Sequence, residues 1–114
     1  MKLTIPAHEF LNIVSVTKTD QSAQVWFGPY QRQDLMYNNN QVFKKKGEEQ
    51  FLFTNDKGHW MIGNQPMGNL GYFFQEKNGG ALPSTEGAWS FWDGEDWLSG
   101  HILRIEPIYV SGEI

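Results

Sequence analysis

The sequence contains no cysteine. That excludes disulfides, thiolate-bound zinc and cysteine nucleophiles, and it suits a reducing compartment. Long apolar runs are missing too. No stretch approaches the ~20 apolar residues that a membrane helix requires. Residues 1–8, with Lys2 and Pro6, lead into no signal-peptide core. The Asn-x-Ser/Thr pattern of N-glycosylation is absent. We therefore expect a cytoplasmic protein that does not enter a membrane, the alternative being a domain trimmed from a larger secreted chain. Positive charge is scarce, with 9 Lys and Arg against 13 Asp and Glu and a net charge of −4. The basic run Lys44-Lys45-Lys46 is followed at once by Glu48 and Glu49, so it reads as a solvated strand end. Nucleic acid needs a basic footprint and is not an expected partner.

Catalytic patterns are also lacking. His8, His59 and His101 fall in no H-x-x-x-H or H-E-x-x-H spacing. There is no Gly-x-Ser-x-Gly elbow for a nucleophile. Gly63, Gly68 and Gly71 miss the spacing of a phosphate-cradling loop, and no helix is expected after them. Glu86 and Asp93 are the carboxylates from which a glycosidase pair would be drawn, but nothing in the sequence places them in a pocket. The expectation is a protein that is not an enzyme, with no cofactor and no bound metal.

What is present points to β-structure. The chain of 114 residues fits a single domain, 1–114. Aromatic residues make up 15% of it, with 5 Trp, 8 Phe and 4 Tyr. Each one buried removes about 150–250 Å² from water, so a few of them supply most of a core. The 12 Gly, with Pro and Asn, cut the chain into short apolar segments, and no window holds helical periodicity over three turns. Strands are expected at 10–17, 23–27, 41–45, 50–54, 59–63, 70–75, 88–93 and 101–110, with 33–37 a short strand or a turn. Asn55-Asp56-Lys57-Gly58 suits a hairpin turn, and Asn78-Gly79-Gly80 closes the 70–75 strand. Pro107 marks an edge or a bend. Residues 111–114 and the first few are expected to fray. The fold class is all-β, a small antiparallel barrel or sandwich of about eight to ten short strands. Val25, Phe51, Phe53, Trp60, Ile62, Tyr72 and Trp89 are the expected core.

From residue 22 to residue 97 the landmarks fall in a familiar order. Gly28-Pro29-Tyr30 precedes an Asn-rich turn into Gln41-Val42-Phe43-Lys44. Phe51-Leu52-Phe53, Trp60-x-Ile62-Gly63 and Gly71-Tyr72 follow, then Pro83, Trp89 and Phe91-Trp92-Asp93-Gly94-x-x-Trp97. This resembles a short Trp-rich β module appended, often in tandem, in many eukaryotic multidomain proteins. Asn40 stands where that pattern often has Gly, and Phe43 and Phe53 where it often has Tyr. The resemblance implies an appended interaction module and no catalytic activity.

The tryptophans give the functional lead. On an alternating strand Trp89 and Phe91 share one face, which leaves Trp92 on the other. Gly94 turns the chain, and Trp97 returns near the same rim. The ligand-binding residues are expected to be Trp92 and Trp97 as aromatic contacts, with Asp93, Glu95 and Asp96 as polar ones. The competing expectation is a bulged strand whose rings cap the core. The turn acids suit a hard cation such as calcium, but the full D-x-D-x-D-G loop is absent and a solvated turn is the simpler reading. Two functions fit these residues. One is protein–protein interaction, where Trp and Tyr are enriched and where free strand edges permit self-association. The other is a small lectin-like domain that stacks sugar on exposed Trp beside acidic and amide groups.

Overall fold

The computed structural model describes residues 10–19, 21–65, 71–76 and 82–108. Eight antiparallel strands close into a barrel in simple up-and-down order. They are β1 (Phe10–Ser15), β2 (Gly28–Tyr37), β3 (Asn40–Lys45), β4 (Phe51–Thr54), β5 (Trp60–Gly63), β6 (Phe73–Gln75), β7 (Glu86–Trp92) and β8 (Trp97–Ile108), with a one-turn helix α1 (Gln21–Gln24) before β2. The barrel closes where β1 pairs with β8, Ile13 opposite Ile105 and Ser15 opposite Leu103. The all-β expectation holds, and the architecture is a barrel. His8, Leu70, Asn78-Gly79-Gly80 and residues 109–114 lie outside the described residues.

An eight-stranded barrel is just wide enough for side chains to fill. Period-2 alternation decides which ones do. Leu11 and Ile13 point inward from β1, Tyr30 from β2, Phe43 from β3 and Leu52 from β4; all are buried. Trp60 and Ile62, Phe73, Trp89 and Phe91, and Leu103 and Ile105 complete the ring from β5 to β8. Gln75 lies opposite Trp60 and is also buried. Its Oε1 accepts a hydrogen bond from the Ser84 N–H at 3.0 Å, so the amide is matched.

Segment 23–27 departs from the strand expectation. The N–H groups of Trp26 and Phe27 donate to the carbonyls of Ala23 and Gln24, which winds the chain into a helical turn. Ala23 and Trp26, three apart, then face inward and close one end of the barrel. Val25 falls on the far side and is 53% exposed, so it is not a core residue. Tyr30 Oη donates to the Trp26 carbonyl at 2.7 Å, and burial pushes that phenol well above its ordinary pKa. Of the other expected core positions, Trp60, Ile62 and Trp89 are interior and Tyr72 packs against them. Phe53 is buried on the opposite face of the sheet, with Val42, Met61 and the half-buried Phe51 and Phe74. There Phe53 sits opposite Met61, and Met61 opposite Phe74, in one row across β4, β5 and β6.

The hairpin signal at residues 55–58 has a clear cause. Asn55 Oδ1 accepts from the N–H groups of Lys57 and His59 at 3.0 Å each, and Gly58 takes the positive φ that the β4–β5 turn needs. Residues 33–37 belong to the ten-residue β2. Pro107 pairs with Leu11 inside β8. The Ile105 N–H faces β7, where it meets the Thr85 carbonyl. The nitrogen of Pro107 faces the same side, past the end of β7, so no ladder bond is lost.

Candidate functional site

β7 delivers the predicted alternation. Trp89 and Phe91 are buried in the barrel, and Trp92 lies on the outer face. The strand opposite is bulged. Trp89 pairs with His101 and Phe91 with Leu98, so β8 carries one residue more than β7 over this stretch. Gly100 absorbs the extra residue at a φ of +94°. The bulge does not turn the outer rings inward. Trp97 comes out directly opposite Trp92, with ring centroids 5.5 Å apart and planes at 56°. Trp97 is 43% exposed. Its other side meets Phe74 edge-on at 4.9 Å, which fixes the ring against the outer face of β6.

The turn between the two tryptophans is built by Asp93. Its Oδ1 accepts from the backbone N–H groups of Glu95 and Asp96, both at 2.8 Å, and its own N–H donates to the Asp96 carbonyl. These bonds, Asp96 first and Glu95 second, hold the Asp93 carboxyl below the usual carboxylate range. Gly94 takes a φ of +109°. One carboxylate oxygen of the expected ligand set is therefore committed to local structure. Glu95 and Asp96 are exposed, and among the described residues neither forms an ion pair. Nor do three His, Cys, Asp or Glu side chains converge as a metal site among those residues.

Trp92 and Trp97 form part of a cleft of about 400 Å³, completed by Asn64, Gly71 and Tyr72. The latter three come from the connection between β5 and β6. The Tyr72 N–H donates to the Ile62 carbonyl at 2.7 Å, and its carbonyl accepts from the Trp92 N–H at 2.8 Å. Tyr72 is thus held between the ends of β5 and β7. Its ring stacks on Trp26 at 4.6 Å and 22°, which ties the cleft to the capped end of the barrel. At Gly71 an added Cβ would lie 2.9 Å from Met61 Cε and 3.0 Å from the Ile62 carbonyl oxygen. Glycine lets the chain approach β5 closely enough to present Tyr72.

The expected residues Trp92 and Trp97 are thus brought together, while Asp93, Glu95 and Asp96 lie on the turn beside them. Asn64, Gly71 and Tyr72 were missed. The Gly71-Tyr72 step was visible as a landmark, but its pairing with β7 depends on the barrel register. Among the described residues, no Lys or Arg lines the cleft. No helix among the described residues is long and apolar enough to cross a membrane. Comparison with known proteins gives no match to a family model, a curated protein or a solved structure.

Proposed function

We propose that this chain is a non-catalytic binding module that engages a protein partner through the cleft at Tyr72, Trp92 and Trp97. The observation that carries the reading is Trp97, a large ring 43% exposed and wedged between two other aromatic rings. Rigid, half-exposed aromatic side chains are the usual anchors of protein interfaces. Among the described residues the strands close into a barrel with no unpaired edge, which favours recognition by side chains over strand addition. The lack of cysteine fits work in a reducing compartment such as the cytoplasm.

A lectin-like role draws on the same tryptophans and on Asn64, Glu95 and Asp96. The 56° angle between the rings counts against it, because a flat sugar face calls for a flatter platform. Panning a displayed peptide library and probing a glycan array, each with wild type and variants, separates the two. Peptides that lose at least about tenfold in affinity with Trp97→Ala support the protein reading, since a hot spot is worth ~1.4 kcal/mol or more. Sugar-dependent binding lost in Trp92→Ala, with no Trp97-dependent peptide, contradicts it.

A further inference from the structure

We propose that the cleft receives a cationic side chain of the partner, a lysine ammonium, free or methylated, held by the Tyr72, Trp92 and Trp97 rings and the carboxylates of the adjoining turn. This rests on the binding-module reading and specifies its partner. The first support is the shape of the lining. Ring faces carry negative quadrupole charge and attract a cation within ~6 Å of the centroid, Trp most strongly. Trp92 and Trp97 adjoin at 56° with centroids 5.5 Å apart, and both line the cleft. Tyr72 supplies a third ring.

The second support is charge. The turn that joins the two tryptophans carries Asp93, Glu95 and Asp96, and among the described residues no Lys or Arg lines the cleft. Asp93 stays ionised because it accepts two backbone N–H groups. Glu95 and Asp96 keep their charge free of ion pairing among the described residues. A lysine stem packs along ring surface while its ammonium stays in water, where the exposed acids of the adjoining turn attract it. The net charge of −4 steers a basic partner in the same sense. The chain makes such a contact itself elsewhere, with Lys44 Nζ 5.8 Å from the Phe51 ring centroid.

The test uses choline and its uncharged carbon isostere, dimethylbutanol, titrated into the full chain while the tryptophan indole N–H resonances are followed. Choline should shift Trp92 and Trp97 and leave Trp60 and Trp89 in place. Dimethylbutanol should bind at least about tenfold more weakly, the difference that a cation–π contact of ~1.4 kcal/mol makes. Trp97→Ala should weaken choline by a similar factor. The exposed pair Glu95→Gln with Asp96→Asn should weaken it several-fold and flatten its salt dependence. Equal binding of the two probes, or shifts confined to other residues, overturns the inference. If peptides still need Trp97 under that outcome, the module reading survives; if none does, both fall.

Discussion

Two regions of one hairpin treat the same residue type in opposite ways. Trp89 is 1% exposed and packed inside the barrel; Trp97, across the hairpin, is 43% exposed on the outside. Inside, each ring is chosen by the volume it fills in one cluster of buried side chains from β1 to β8. Outside, the ring of Trp97 meets Phe74 and Trp92. A ring kept half in water gains little stability from its open face, which leaves that face free for contact. The lesson is that composition alone does not separate structural from functional aromatics. Burial does not follow the barrel wall either: Phe53 is fully buried on the outer face, where Trp97 is half exposed.

The sharpest way to break this comparison is to cut on both sides of the wall. Trp60→Ala should cost about 3–5 kcal/mol in denaturant unfolding, the range for emptying a core site of that size. A loss under ~1 kcal/mol would mean that the interior is not packed as described. A smaller effect is expected at Gly87, where an added Cβ would lie 2.7 Å from Gln75 Nε2 and 3.3 Å from Ser84 Cβ. Gln75 is buried and hydrogen-bonded to Ser84, so it cannot swing away freely. Gly87→Ala should cost about 1–3 kcal/mol, and unchanged stability would show that the Gln75 amide relocates.

The smallest effect belongs to the exposed turn. The Asp93 carboxyl is held below its ordinary value of 3.8 by the N–H groups of Asp96 and Glu95. A carboxylate with a lowered folded pKa contributes stability above its unfolded value, and that contribution is lost as pH falls through the folded value. Asp93→Ala should therefore be less stable than wild type near neutrality and converge with it in strong acid. Thermal unfolding across that pH range measures the gap; a gap that does not narrow would remove the carboxylate from the account.

Much of this was legible in residue order, for a physical reason. Alternation is local, so Trp89 inward and Trp92 outward follow from β7 alone. Asn55 and Gly58 announce their turn because an Asx acceptor and a positive φ are local needs. Residues 23–27 were misread because Val, Trp and Phe favour strands, whereas here the need to cap an open barrel end outweighs that preference. The inward partners of Trp92 were not legible. Tyr72 and Asn64 reach it only through the pairing of β5, β6 and β7, and register between distant strands leaves no local mark. The Asp93 turn was visible, but not that one of its carboxylate oxygens is committed to the backbone N–H groups of Glu95 and Asp96.

The central claim is that Trp97 is a contact residue and Trp60 a structural one. Denaturant unfolding of Trp97→Ala beside Trp60→Ala tests it most directly. Two ring contacts at ~0.5–1.5 kcal/mol each give an expected loss of about 1–2 kcal/mol for Trp97→Ala, well below that for Trp60→Ala. Equal losses of several kcal/mol would contradict the account, because the outer ring would then be holding the barrel together.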